Sequence, residues 1–204
     1  GCSNLTEITL PSSLTSIGYS AFSGCSNLTE IYYQGTMDQW LNMTFVSSWL
    51  PSNNNINLYI NNELVDEITI NNDIPSYAFC KIDSITKVTL GEGVTSIGRS
   101  AFYGCSSLAT VTFVEGSQLE SIGDYAFYNC SNLTEITLPS SLKSIGSSAF
   151  SGCSNLTEIT LPSSLTSIGR YAFSGCSALR SIEIPSSLTS IGNNAFDGCS
   201  SLAT

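Results

Sequence analysis

The sequence contains no histidine and few basic residues, and both shortages exclude classes of function. Without histidine the chain lacks the commonest general base, the usual zinc ligand and the usual activator of a catalytic serine or cysteine. Its six Lys and Arg all come at Lys81 or later, residues 1–80 hold seven acids, and the net charge is −10. Such a surface repels phosphate groups, so we predict no nucleic-acid partner.

Long apolar runs are also missing. No stretch approaches the roughly 18 to 20 residues that cross a bilayer, and the opening GCSNLTEITL has neither the basic nor the apolar part of a signal peptide. We therefore predict no direct membrane insertion by this segment, and we expect any export signal and anchor to lie outside it. With 42% hydrophobic residues, the 204 residues can still bury a substantial core.

What the sequence does contain is a repeat of about 23 residues. The Phe of each Ala-Phe pair recurs at spacings of 57, 23, 25, 23, 23 and 23 residues, at Phe22, Phe79, Phe102, Phe127, Phe150, Phe173 and Phe196. Each unit contains an alternating strand such as LTEITL, a second extended segment such as SLKSIG, and an Ala-Phe-x-x-Cys segment spaced like one turn of helix. One such unit cannot bury its apolar side alone, but stacked units can, with strand beside parallel strand.

Two positions of the repeat indicate backbone conformation and packing. In six of the seven units Gly or Asn stands two residues after the Phe, as in Gly152 and Asn129, which predicts a left-handed residue that closes the turn. Seven of the eight cysteines occupy the next position, and Ile82 replaces Cys there in one unit. We interpret this position as an apolar slot filled by a reduced thiol, with a disulfide ladder as the less favoured alternative. Without Cys-x-x-Cys or histidine, we predict no metal and no cofactor.

The segment LTEITLPSSLTSIGRYAFSGC, residues 156–176, resembles the BspA-type leucine-rich repeat. The resemblance covers about residues 1–33 and 64–204. It implies a single α/β solenoid over residues 1–204, right-handed, with a parallel sheet, a second short extended segment and a one-turn helix in each repeat. It also implies an exported protein on the surface of a host-associated bacterium, with a role in adhesion. The chain begins and ends inside units, so we expect it to be a piece of a longer array.

Residues 34–63 interrupt the period. Thr36 and Gln39 match a capping box that predicts a short helix, an Asn-rich turn is expected at 52–55, and INLYI is predicted to form a strand that turns back at Asn61 and Asn62. The resemblance suggests that this insert is a variant unit. It carries both tryptophans, Trp40 and Trp49, which either seal the insert onto the solenoid as a small core or form an exposed contact for a partner or glycan.

The outward side chains of the first strand are the other candidate binding residues. They should stack into a broad face of Thr and Glu, and we expect it to bind a partner through Glu7, Thr9, Glu30, Tyr32, Glu67, Thr69, Glu135, Thr137, Glu158, Thr160 and Glu183. The equally simple interpretation of any single residue is a solvated surface that discourages aggregation. Glu135 and Glu158 should lie about 5 Å apart, as in a retaining glycosidase, but an open hydrated face offers no cleft to raise one pKa.

Three functions remain open from the sequence. The favoured one is a non-enzymatic adhesion scaffold at the cell surface that binds a host or bacterial surface protein. The alternatives are a carbohydrate-binding surface module and a structural spacer that carries another domain, with an enzyme least favoured.

Overall fold

A computed structural model describes residues 1–51 and 55–203 of the chain. Of the turn predicted at 52–55, residues 52–54 lie outside this range. The elements follow in chain order: β1 Glu7–Leu10, β2 Ser16–Ile17, β3 Glu30–Tyr33, α1 Met37–Leu41, β4 Thr44–Phe45, β5 Asn57–Ile60, β6 Glu63–Leu64, β7 Glu67–Ile70, β8 Lys87–Leu90, β9 Ser96–Ile97, β10 Thr110–Phe113, β11 Ser121–Ile122, β12 Glu135–Thr137, β13 Ser144–Ile145, β14 Glu158–Thr160, β15 Ser167–Ile168 and β16 Ser190–Ile191.

The chain is a solenoid of stacked coils, as the repeat predicts. The first strands form two sheets, in the orders β1-β3-β5-β6 and β7-β8-β10-β12-β14. The second extended segments pair in the order β9-β11-β13-β15-β16, with a separate β2-β4 pair at the start of the array. Neighbouring strands are parallel and in register, as in Ile136 beside Ile159, except that β6 runs antiparallel to β5. The second extended segment is thereby confirmed.

The third segment of each coil differs in detail from the predicted turn of helix. In the coil of Phe150, the Cys153 N–H donates to the Phe150 carbonyl at 3.1 Å, whereas the Phe150 N–H donates to Ala172 of the next coil at 2.8 Å. Successive N–H groups donate in turn to a carbonyl of the same coil and to a carbonyl of the next coil. The segment is therefore a run of three-residue turns that also couples the coils. The predicted left-handed residues are confirmed at Gly152, with φ of 77°, and at Asn129, with φ of 56°.

Matching apolar side chains form continuous files inside the stack. The rings of Phe79, Phe102, Phe127, Phe150, Phe173 and Phe196 stack in series, with centroids 5.3 to 5.5 Å apart and interplanar angles of 3 to 11°. The Ile and Leu of the strands and the cysteines pack beside them in one buried cluster. Repetition at 23 residues therefore places identical groups against each other, and each coil is covered by its neighbours.

The insert contains the predicted helix and hairpin. Thr36 and Gln39 make both bonds of the capping box at the start of α1. Asn61 and Asn62 adopt left-handed φ values of 52° and 65° between β5 and β6, as a tight hairpin turn requires. Since β5 pairs with β3 and β7 does not pair with β5, the first-strand surface divides here. The insert is described at residues 34–51 and 55–60, and we call its junction with residues 67–82 the seam.

Candidate binding surfaces

The predicted face of Thr and Glu is formed, but in two parts. Before the seam, Glu7 lies in register with Glu30, and Thr9 with Tyr32. After it, the pairs in register are Glu67 with Lys87, Thr69 with Thr89, Glu135 with Glu158, and Thr137 with Thr160. These side chains are exposed, except that Glu30, Tyr32 and Thr89 are half-buried. The hairpin of β5 and β6 separates the two parts, which the repeat alone does not reveal.

Two of the expected members differ from their neighbours. Glu183 is exposed, but residues 180–184 form no strand, and the sheet ends at β14. Glu183 is therefore not part of the paired face. Glu67 forms an ion pair with Lys87 at 3.3 Å, so its charge is partly neutralised. The acidic character of the face lies with the register pairs Glu7 with Glu30 and Glu135 with Glu158.

The face before the seam carries a stacked aromatic pair. The rings of Tyr32 and Tyr59 lie 4.6 Å apart at an interplanar angle of 16°. Leu64 lies directly opposite Tyr59 across the hairpin and is 45% exposed. We call Glu30, Tyr32, Tyr59 and Leu64 the tyrosine patch. Tyr59 is not among the residues predicted to bind a partner, although the alternation of INLYI puts its side chain in phase with Tyr32 once β3 and β5 pair.

Hydrogen bonding fixes the position of one ring of the tyrosine patch. The Tyr32 hydroxyl donates to the Glu30 carboxylate at 2.5 Å. This bond to the neighbouring carboxylate raises the pKa of Tyr32 to about 12, with desolvation adding to the effect. The phenol therefore stays protonated at physiological pH and keeps donating. The patch presents a rigid aromatic surface beside a carboxylate.

The two tryptophans are not exposed, which corrects the expectation that they could contact a partner. Trp40 and Trp49 are both 0% exposed, with their rings 6.0 Å apart and each near the ring of Phe45. The Trp40 indole N–H donates to the Ala78 carbonyl at 3.1 Å, and that of Trp49 donates to Tyr77 at 3.0 Å. The alternative of a small core that seals the insert is correct, because the indoles supply both apolar area and donors at the seam.

The cysteine slot is buried from Cys25 to Cys176, as predicted, whereas Cys2 is exposed and Cys199 is half-buried. The thiols also act as donors. The Cys153 Sγ donates to the Phe127 carbonyl of the preceding coil at 3.2 Å, and the same bond recurs at Cys105, Cys130, Cys176 and Cys199. Among the described residues, free thiols are found at Cys2, Cys80, Cys105, Cys130, Cys153, Cys176 and Cys199. Burial raises the pKa of Cys105, Cys130 and Cys153 well above the ordinary value. These three thiols are packing groups, and they are chemically unreactive.

Within the described ranges, no cluster of three or more His, Cys, Asp or Glu could hold a metal ion. The same ranges contain no helix that is long and apolar enough to span a membrane.

Stacked parallel coils with an open strand face define a repeat scaffold, and comparisons with known proteins give its family. The model of the BspA type leucine rich repeat region matches residues 1–69 and 72–203 in 6 copies. The chain belongs to the BspA-type leucine-rich repeat family. Members of such families serve typically as protein-interaction scaffolds.

Solved structures of bacterial leucine-rich repeat proteins have the same fold. The T. pallidum leucine rich repeat protein is 31% identical at a TM-score of 0.54, over 65% of this chain and 72% of that one. A leucine rich cell surface protein of Faecalibacterium prausnitzii is 34% identical at a TM-score of 0.53, and the match covers 65% of this chain and 42% of that one. A leucine-rich repeat protein of Eubacterium ventriosum shares the fold alone, with 23% identity and a TM-score of 0.60. That match covers 98% of this chain and 60% of the other. No curated protein matches the chain.

Proposed function

We propose that this chain is a non-enzymatic scaffold at the cell surface that binds a protein partner through the strand face, with the tyrosine patch at the centre. The observation that carries this proposal is the stacked pair of Tyr32 and Tyr59, held beside Glu30 on an exposed sheet. Aromatic rings with few free torsions supply contact area at low entropic cost and are enriched in binding hot spots. The description of the Faecalibacterium relative as a cell surface protein supports the location.

Charge indicates the kind of partner. Glu7 is adjacent in register to Glu30 of the tyrosine patch, and no basic residue precedes Lys81 in the chain. An acidic surface around an aromatic centre favours a partner with a basic surface, and rim charges mainly accelerate association. We therefore expect a host or bacterial surface protein with a basic contact region, and an association rate that falls as salt increases.

Binding to a panel of purified extracellular-matrix proteins tests the proposal, with association and dissociation followed by biolayer interferometry at low and physiological salt. We expect the double variant Tyr32→Ser, Tyr59→Ser to weaken binding at least about 10-fold, since two hot-spot residues are each worth about 1 kcal/mol or more. The matched control Thr137→Ser, Thr160→Ser alters the equivalent register pair after the seam and should bind like the original chain.

Two outcomes contradict the proposal. If the control loses as much affinity as the tyrosine variant, the patch has no special role in the strand face. If the folded chain binds none of the panel, a structural spacer is the better description. Thermal unfolding of each variant separates lost binding from lost folding.

A further inference from the structure

We propose that a groove on the turn side of the seam binds a carbohydrate that carries a carboxylate group. The groove has a volume of about 660 Å³, and its lining includes Ser23, Ser47, Tyr77, Lys81 and Tyr103. None of the described residues that line it belongs to the strand face, so this site is separate from the tyrosine patch. Volumes of about 300 to 1,000 Å³ are typical of small-ligand sites.

The groove lies at a point where the regular coupling of coils is interrupted. In the regular stack the Phe102 N–H donates to Ala126 of the next coil at 2.8 Å. At the seam, the corresponding carbonyl of Ala78 accepts from the side chain of Trp40 instead. The turns of the insert and of residues 77–81 are thus joined from the inside by indoles, and a depression remains between them on the outside.

Lys81 gives the groove its charge. Its ammonium group donates to the Pro51 carbonyl across the groove at 2.9 Å. An ammonium has three donors, and among the described residues the Pro51 carbonyl is its one hydrogen-bond acceptor. No Asp or Glu is among the described lining residues, in a chain whose net charge is −10. A half-buried cation without a carboxylate partner is complementary to an anionic ligand group.

The remaining walls suit a sugar better than a peptide. Hydroxyl groups are frequent, since the lining includes Ser20, Ser23, Ser26, Ser47, Ser48 and Ser100. Hydroxyls both donate and accept, which matches the many hydroxyls of a sugar ring. Tyr103 is held by stacking on Tyr128 at 4.8 Å, and the Tyr77 hydroxyl accepts from Arg99 Nε at 3.1 Å. Two fixed aromatic rings offer apolar surface for the C–H groups of a ring, at little entropic cost.

Isothermal titration of the folded chain with 3′-sialyllactose, with a glucuronate disaccharide, and with lactose as the neutral control tests the assignment. We expect binding of at least one acidic sugar and at least 10-fold weaker binding of lactose. Lys81→Met keeps most of the aliphatic stem and should reduce acidic-sugar binding at least 10-fold, whereas Lys143→Met removes an exposed cation elsewhere and should not. Tyr103→Leu provides a second variant that should also weaken binding.

The assignment is overturned if neither acidic sugar binds, if Lys81→Met and Tyr103→Leu both bind like the original chain, or if lactose binds equally well. Equal or tighter binding of a glutamate-rich peptide would make the site a peptide groove and overturn it too. The double variant Tyr32→Ser, Tyr59→Ser should leave sugar binding unchanged, so failure here and failure of the protein-binding function are distinguishable.

Discussion

At the scale of single residues, the cysteines show what a repeated position in the sequence can predict about the structure and what it cannot. The replacement of Cys by Ile82 correctly indicates an apolar slot, and Cys153 is completely buried. The sequence does not indicate that the Cys153 thiol donates to the Phe127 carbonyl of the preceding coil. That bond needs a distance between two coils, which depends on how they stack.

The buried thiols predict a loss of stability at alkaline pH. Burial raises the pKa of Cys176 from 9.0 to about 12. The unfolded chain ionises its thiols near the ordinary pKa, so above that pH it holds fewer protons than the folded chain, and the free energy of unfolding falls as pH rises. Each thiol contributes about 1.4 kcal/mol per pH unit in this window. We expect Cys153→Ala, Cys176→Ala to have a slope shallower by about 2.7 kcal/mol per pH unit.

Urea unfolding between pH 8 and 11 measures this slope. Cys2→Ala, which removes an exposed thiol, is the control and should leave the slope as it is. A double variant with the slope of the original chain would show that the folded thiols ionise with ease, contrary to their burial.

At the scale of the coil, glycine is required at Gly152 and at Gly146 for different physical reasons. Gly152 has a left-handed φ of 77°, which its position after the Phe predicts. Gly146, in the Ser-Ile-Gly segment, has no such φ. A Cβ there would lie 2.6 Å from the Asp124 nitrogen and the Gly123 carbonyl carbon of the preceding coil. Its requirement is therefore close approach between coils, which only the packed structure reveals.

This difference gives a matched pair of substitutions at one repeat position. We expect Gly146→Ala to lower the free energy of unfolding by about 1 to 3 kcal/mol, because the added methyl forces the coils apart. At Gly18 a Cβ would meet nothing within 4 Å. Gly18→Ala should therefore be neutral or raise stability by up to about 1 kcal/mol through the unfolded chain. Urea unfolding of both variants checks this, and equal destabilisation would disprove the close-approach explanation.

At the scale of the whole molecule, the seam divides an otherwise uniform stack. The ring file begins at Phe79 and continues to Phe196, whereas the coils before the seam are packed by Tyr33, Trp40 and Trp49. In a repeat protein each coil is stabilised mainly by its neighbours, so a weaker junction allows one side to unfold separately.

The indole donors should decide how strongly the two sides are coupled. We expect Trp40→Phe to cost about 1 to 3 kcal/mol, because the buried Ala78 carbonyl loses its indole donor. Trp49→Phe should cost less, because the Tyr77 carbonyl keeps the Cys80 N–H as a donor at 3.2 Å. In the double variant, hydrogen exchange should become faster at the Thr29 and Asn57 amides, before the seam, than at the Phe127 amide in the regular stack. The control Phe150→Leu should instead lower protection in its own neighbourhood. Uniformly faster exchange in the tryptophan variant would contradict a separable seam.

The sequence by itself determined the solenoid, because a 23-residue period with fixed apolar positions can bury its core only by stacking copies in register. It also determined the left-handed residues and the capped helix of the insert, which depend on local backbone chemistry. The division of the strand face, the burial of Trp40 and Trp49, and the pairing of Tyr32 with Tyr59 were decided by the tertiary structure. Each depends on where the irregular insert meets its neighbours, and a break in the repeat removes the symmetry from which positions could be inferred.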